Sequence, residues 1–212
     1  MPKKQNNKPS EPFGYVAFSR DGCVRQVINR LPSDNGALEL EVGKRFAAAL
    51  GNIRNRNYMT KQLPKDDHDL MLASCDGNLV VLQLTELSRW DIASPAAAKL
   101  YQTVTPGAVL PADLWVDVSE DAAIRASALL KVIQRKLEKH YAKTKDPLWL
   151  IIWSTASDYA PFYVSGGNHQ ISEAVVKARA YLDVREGGAT PFSEVWYFDL
   201  NVLLPKRIWP LE

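Results

Sequence analysis

Residues 68–87 read HDLMLASCDGNLVVLQLTEL and decide the fold of this chain. Two apolar runs, residues 68–75 and 79–87, flank an Asp76-Gly77 step. Apolar runs on either side of such a step are typical of two antiparallel strands joined by a tight turn. The stretch therefore predicts a β-hairpin inside a larger sheet.

The polar residues of this hairpin are predicted to meet on one side. Pairing of the two strands brings Asp69 beside Gln83, and the period-2 alternation points Gln83 and Thr85 to the same face. Glu86 is a further oxygen donor, but alternation places it on the opposite face unless the strand is bulged. A carboxylate from a neighbouring helix would complete an oxygen-ligand pocket. Such a pocket suits Mg²⁺ or Mn²⁺, which can activate water and stabilise charge on a phosphodiester.

A helix over residues 37–50 precedes the hairpin. Ser33 or Asp34 can cap its start, and Gly51 with Asn52 predicts its end in a left-handed C-cap. At roughly 100° per residue one stripe of this helix is apolar and predicts its core face. The stripe consists of Leu38, Val42, Phe46 and Ala49.

Two glutamates on this helix are candidates for the missing carboxylate. Glu39 lies roughly 50° from the centre of the apolar stripe, whereas Glu41 lies more than roughly 100° away. Glu39 is therefore the expected inward ligand, although the sequence leaves open which of the two faces the site.

Residues 52–67 form a basic segment that contains Arg54, Arg56 and Lys61. Two interpretations stay open for it: a loop or irregular strand that contacts a nucleic-acid backbone, and a solvated loop.

The rest of the chain alternates predicted helices and strands. Residues 119–144 predict a long helix with acidic residues early and lysines late, which favours the helix dipole. Leu148–Ser154 (LWLIIWS) is a continuous apolar run, as in strands buried on both faces. The remaining predicted elements are a hairpin of 13–18 and 23–31, a short helix at 95–104, a helix at 171–182 and a last strand at 194–200.

Composition excludes several classes of protein. With 212 residues, 46% hydrophobic residues and a formal charge of +2, the chain predicts one globular domain over 13–212 after a flexible basic tail, 1–12. The two cysteines are widely spaced and exclude a zinc site made by cysteines alone. The three histidines are too scattered for a zinc motif. No membrane span or signal peptide is expected, and the predicted compartment is the cytoplasm.

The order helix, three strands, long helix, buried strand resembles the PD-(D/E)XK nuclease superfamily, the restriction endonuclease-like fold. The resemblance covers roughly residues 34–155, with 170–200 as a continuation. It implies an α/β protein with an αβββαβ core, in which a mixed central sheet is flanked by helices. It also implies a metal held by Glu39, Asp69 and Gln83, and Gln83 in this position is similar to the Mrr-like restriction branch.

Thr85 departs from the pattern, because the family usually has lysine at this position of the strand. Threonine cannot act as a general base near neutral pH. In some members the lysine lies instead on the following helix. Lys131 is the candidate for that role here, with Arg135 four residues further along the same face.

The resemblance implies a cytoplasmic endonuclease that hydrolyses DNA with Mg²⁺ or Mn²⁺ and acts as a homodimer. Its catalytic residues would be Asp69, Gln83, Thr85 and Lys131, and Arg54, Arg56 and Lys61 would hold the nucleic acid. The first alternative is a degenerate member that binds nucleic acid or a protein partner without cleavage. The second is a small interaction protein with exposed tryptophans, for which Trp90, Trp115 and Trp209 are the candidates.

Overall fold

The computed structural model describes residues 13–18, 24–29, 31–32, 34–63, 68–87, 122–154, 173–185, 190–200 and 203–210. The predicted tail 1–12 and the predicted short helix at 95–104 lie outside these residues, as do His169, Trp90 and Trp115.

Two sheets and three helices make up the described structure. Strands β1 (Phe13–Phe18) and β2 (Val24–Asn29) form the predicted antiparallel hairpin as a separate two-stranded sheet. The second sheet has six strands whose spatial order equals their chain order. They are β3 (Tyr58–Gln62), β4 (Leu70–Ser74), β5 (Leu79–Glu86), β6 (Leu148–Ser154), β7 (Glu194–Asp199) and β8 (Leu204–Trp209).

The six-stranded sheet is mixed. The pairs β3–β4 and β4–β5 are antiparallel. The pairs β5–β6 and β6–β7 are parallel, and β8 pairs antiparallel with β7. The helices are α1 (Asn35–Arg54), α2 (Ala122–Leu137) and α3 (Glu173–Asp183). The prediction of an α/β fold with a mixed central sheet flanked by helices is therefore confirmed.

Each face of the sheet packs against its own helices. Helix α1 covers one face through Val42 and Phe46, which are fully buried against β4 and β5. Helices α2 and α3 cover the other face. In β5, Leu82 and Leu84 point to α1, whereas Val81 points to α2. Alternation therefore turns the side chains of residues 83 and 85 toward the α2 face.

Helix α1 is longer than predicted at its C-terminus. Asp34 caps its start by accepting a hydrogen bond from the Ala37 N–H over 2.9 Å. The left-handed cap is Asn55 (φ 49°) and not Gly51 or Asn52. Gly51 is helical, and a Cβ there would lie 2.6 Å from the Arg56 carbonyl oxygen. The glycine thus makes room for the returning chain one turn before the helix ends.

Strand β8 was not predicted, and it changes the role of β7. Pro205, Lys206 and Arg207 obscure the strand pattern in the sequence, and a proline is tolerated here because β8 is an edge strand. Consequently β7 is an interior strand, and the prediction that residues 194–200 form the last strand was wrong. Trp209, expected to be exposed, is 6% exposed and donates its indole N–H to Asp183.

Helix α2 is shorter than predicted and ends at Leu137. The Lys136 carbonyl oxygen accepts hydrogen bonds from the Lys139 N–H (3.3 Å) and the Tyr141 hydroxyl (2.9 Å), which closes the last turn. Within the described ranges, no helix combines the length and apolar character needed to cross a membrane.

Candidate functional site

The β4–β5 hairpin brings Asp69 and Gln83 together at the start of β4. Leu70 is paired with Leu82, so the residues Asp69 and Gln83 face each other where β4 begins. The Gln83 side-chain N–H donates a hydrogen bond to Asp69 Oδ2 over 2.5 Å. Gln83 is only 8% exposed. The pair is thus a polar contact at the rim of the core.

The Asp69 carboxylate also accepts a backbone hydrogen bond from β5 at a point where β4 no longer provides one. Leu82 and Leu84 both turn their peptide groups toward β4, and the Leu82 carbonyl accepts the Asp69 N–H over 3.3 Å. Leu84 lies beyond the start of β4, so its N–H has no strand partner on that side. It donates instead to Asp69 Oδ2 over 2.6 Å. One carboxylate oxygen therefore accepts two hydrogen bonds, one from a side chain and one from the backbone.

A lysine from α2 completes the arrangement at Leu84. Lys136 Nζ donates to the Leu84 carbonyl oxygen over 2.8 Å, and the side chain is 7% exposed. The Leu84 N–H thus binds an aspartate, and the Leu84 carbonyl oxygen binds a lysine, on the same edge of β5. We call Asp69, Gln83 and Lys136 the Asp69 cluster.

Burial shifts both ionisable groups of the cluster away from their charged forms. Burial raises the pKa of Asp69 above its usual value, although the Leu84 N–H and the Lys136 charge act in the opposite direction. Burial lowers the pKa of Lys136 to about 8, although the Asp69 charge opposes this shift. An amine with this pKa has a substantial neutral fraction near pH 8. Opposed shifts in one pocket are typical of acid–base sites.

Glu39 and Glu41 have different surroundings. Glu41 is bound to Arg45 on the next turn of α1 over 2.8 Å. The half-buried Glu39 acts on Lys136 instead, and its charge raises the pKa of that lysine. Of the two candidates, Glu39 therefore lies toward the Asp69 cluster, although α1 as a whole packs on the sheet face opposite to Gln83.

Thr85 and Glu86 follow Gln83 along β5. Thr85 is half-buried and pairs in register with Ile152 of β6. Glu86 is exposed at the end of the strand. Neither side chain supplies the positive charge that the resemblance to PD-(D/E)XK nucleases implies on this strand.

The lysine at the cluster is Lys136 and not Lys131, which is exposed like Arg135. Five residues along a helix correspond to a rotation of roughly 140°, so Lys131 and Lys136 cannot share a face. A signal for Lys136 exists in the sequence. It continues the inward-facing apolar stripe of Leu129, Val132 and Ile133, so it is a lysine on the core side of an amphipathic helix.

The predicted nucleic-acid contact Arg54 is engaged elsewhere. Its guanidinium lies 5.3 Å from the ring centroids of both Trp149 and Trp196, and 3.7 Å from Glu194 Oε2. Trp149 and Trp196 belong to the core under α1, whereas Gln83 and Lys136 lie on the α2 side. Arg54 therefore lies on the face of the sheet opposite to the Asp69 cluster. We call Arg54, Trp149, Trp196 and Glu194 the Arg54 cluster.

The other two predicted contacts, Arg56 and Lys61, are exposed. Arg56 forms an ion pair with Asp76 of the β4–β5 turn over 3.1 Å, also far from Asp69. Lys61 pairs in register with Met71, two residues from Asp69 on the same face of the sheet. Diagonal neighbours in a sheet are about 7–8 Å apart, so Lys61 is the predicted contact that lies nearest to the Asp69 cluster.

Sequence reasoning missed the role of His68 and Tyr141, which flank the cluster. Their rings stack with an interplanar angle of 9° and centroids 6.3 Å apart. Burial, followed by the Asp69 charge, raises the pKa of Tyr141 to about 12. His140, by contrast, is exposed.

The described part of the chain contains no group of three or more His, Cys, Asp or Glu side chains arranged to hold a metal ion. Comparison of the chain with protein-family models, with curated proteins and with solved structures gives no match.

Proposed function

We propose that this protein is a PD-(D/E)XK-like nuclease that hydrolyses nucleic-acid phosphodiester bonds with a divalent metal ion, and that Lys136 supplies the lysine of the site. The observation that carries the proposal is the meeting of Asp69, Gln83 and Lys136 at Leu84. An acidic residue, a neutral amide and a lysine are the side chains that the resemblance requires. Here the lysine comes from the helix after the strand.

The order of elements also supports this proposal. Helix α1, strands β3 to β5, helix α2 and strand β6 follow the αβββαβ order of a restriction endonuclease-like core. The parallel pairing of β5 with β6 across α2 agrees with that core as well.

The donor atoms fit a magnesium or manganese ion in a minimal form. Mg²⁺ is commonly held by one or two carboxylates together with water and substrate phosphate. The hydrogen bonds to Asp69 end on Oδ2, which leaves Oδ1 as a ligand atom. Asp69 and the Gln83 amide oxygen would hold the ion, and Glu39 would contribute charge from α1. When bound, the ion would supply a Lewis acid for the phosphate and lower the pKa of an attacking water.

Lys136 would act on the proton of that water. Its amine loses a proton readily because burial lowers its pKa to about 8. The neutral Nζ would accept a proton from the attacking water, and the resulting ammonium would be stabilised by Asp69 and by the Leu84 carbonyl. General-base catalysis of this kind contributes roughly 10²–10⁴-fold to a rate. Thr85 has no comparable role in this scheme.

DNA is the proposed substrate, and Lys61 and Lys139 are the basic residues closest to the chemistry. Lys139 acts electrostatically on Asp69 and on Lys136. Arg54 and Arg56 do not belong to this surface, because Arg54 lies on the α1 face of the sheet and Arg56 lies beside the β4–β5 turn. A homodimer would place two such sites on the two strands of a duplex.

A second candidate function is binding of nucleic acid without cleavage. It is favoured by the fact that Asp69 and Lys136 both satisfy backbone groups of β5. A cluster that completes a strand end has a structural reason to exist even without chemistry.

Metal titration and a cleavage assay distinguish these functions. We expect Mn²⁺ binding by calorimetry and Mn²⁺-dependent cleavage of plasmid DNA by the full chain. Asp69→Asn should lose both, because the neutral amide still accepts the Leu84 N–H but binds a cation poorly. Asp76→Asn, in the turn of the same hairpin, is the matched control and should retain both. Cleavage by Asp69→Asn at the wild-type rate would refute the proposed site.

A further inference from the structure

His68 carries two polar atoms that the fold does not use. Both ring nitrogens are buried, and neither has a hydrogen-bond partner among the described residues. A buried polar group left in this state costs about 1–3 kcal/mol, so such groups call for a specific explanation. A ligand that binds to the ring would provide one.

The ring is nevertheless held in a fixed position. It stacks on Tyr141, whose own ring packs edge-on against Phe192 with centroids 5.3 Å apart. The Tyr141 hydroxyl donates to the Lys136 carbonyl oxygen. The imidazole is therefore oriented by its flat face, and its two nitrogens lie next to the Asp69 cluster without a hydrogen-bond partner among the described residues.

The charges around His68 favour an anion as that ligand. His68 lies close enough to Asp69 to influence it electrostatically, and so do Lys136 and Lys139. The basic residues Lys136, Lys139 and Arg135 outnumber the two carboxylates of this region, Asp69 and Glu39, which leaves an excess of positive charge. An imidazole N–H can donate to an anionic oxygen, as histidine does in either tautomer.

We propose that His68 is a phosphate-binding residue, which donates a ring N–H to a non-bridging oxygen of the phosphodiester at the Asp69 cluster. Identification of this phosphate as the scissile one rests on the proposed function. The capacity of the site to bind a phosphate group does not, because it depends only on His68 and the adjacent lysines.

Titration of the full chain with inorganic phosphate at pH 7.5, followed by NMR, tests this inference. The backbone amide of Leu84 reports from inside the cluster, and the imidazole nitrogens report on His68 directly. Among three histidines, the His68 signal is the one lost in His68→Phe. Phenylalanine keeps the stack on Tyr141 and removes both nitrogens.

We expect saturable shifts of Leu84 and His68 in the wild type and about tenfold weaker phosphate binding in His68→Phe. The variant should unfold in urea at the same or a higher concentration, since the nitrogens have no partner in the fold. His140→Phe, which changes an exposed histidine, should bind phosphate like the wild type. Equal phosphate affinity in His68→Phe, or no saturable shift in the wild type, would overturn the inference.

The cleavage assay separates this result from the proposed function. Phosphate binding that depends on His68 in a chain that cuts no DNA would refute the nuclease and retain the anion site. Cleavage by a chain whose phosphate affinity is unchanged in His68→Phe would retain the nuclease and refute the role of His68.

Discussion

The two faces of the six-stranded sheet treat buried charge differently. On the α1 face, the Arg54 cluster surrounds a guanidinium with two aromatic rings and a carboxylate. Glu194 in that cluster also accepts the Trp196 indole N–H over 2.7 Å and lies 3.7 Å from Arg207. On the α2 face, the Asp69 cluster keeps a lysine and an aspartate whose charged forms are both disfavoured by burial.

The difference separates a charge that stabilises the fold from charges that are available for chemistry. In the Arg54 cluster the guanidinium contacts two aromatic rings and a carboxylate, and a buried charge is usually paired in this way. In the Asp69 cluster desolvation is the largest influence on both pKa values. Perturbed groups of this kind concentrate at functional sites, although ion-pair networks also perturb pKa values.

The largest expected effect contrasts two lysines of α2. Lys136→Met should reduce Mn²⁺-dependent DNA cleavage by about a hundredfold or more, because the buried amine is the proposed general base. Lys131→Met, on the exposed face, should cleave at the wild-type rate. Initial rates of plasmid nicking measure both. Equal activity of the two variants would remove Lys136 from the mechanism and with it the functional difference between the two faces of the sheet.

A change on the opposite face of the sheet should affect stability and leave cleavage intact. Arg54→Leu removes the guanidinium from Trp149, Trp196 and Glu194, and should lower the free energy of unfolding by about 2 kcal/mol. Arg56→Leu is the matched control. Its ion pair with Asp76 is half exposed and should contribute less than about 1 kcal/mol. Urea denaturation gives both values, and a loss of DNA cleavage in Arg54→Leu would contradict the division between the two faces.

The pH dependence of stability should reveal the buried lysine. Because the pKa of Lys136 is about 8 in the folded chain against 10.5 ordinarily, the unfolded chain binds more protons between these values. The free energy of unfolding should therefore rise with pH from about 8 to about 10.5, by on the order of 2 kcal/mol after screening. Lys136→Met should lack this rise, and Lys131→Met should show it. Urea midpoints at pH 7.5 and 9.5 test the expectation, which fails if wild type and Lys136→Met change in parallel.

The smallest effect concerns the ring that supports His68. Tyr141 has a folded pKa of about 12 against 10.0 ordinarily, so above pH 10 the unfolded chain loses the phenolic proton first. Stability should fall between pH 10 and 12 by on the order of 1 kcal/mol, after discounting for solvent screening. Tyr141→Phe should lack this component, measured as the difference in urea midpoints between pH 9.5 and 11.5. An identical fall in both proteins would show that Tyr141 is not shielded from water.

Local patterns predicted most of the described elements. The β4–β5 hairpin followed from the Asp76-Gly77 step, and β6 from an unbroken apolar run. The N-cap followed from Asp34, and the core face of α1 from its periodic stripe. The C-terminal end of α1 did not follow, because Gly51 has a packing role against Arg56 that resembles a helix stop in the sequence. Strand β8 was missed because an edge strand tolerates Pro205 and charged residues.

The sequence by itself determined that Asp69 and Gln83 would meet, because only a tight turn and a fixed alternation separate them. It could not determine which lysine joins them. Lys136 reaches Leu84 from 52 residues away, and this depends on how α2 rotates as it packs on the sheet. Tertiary structure likewise directed Arg54 to two tryptophans on the α1 face of the sheet. Contacts between distant segments depend on the packing of whole elements, and residue spacing does not encode that packing.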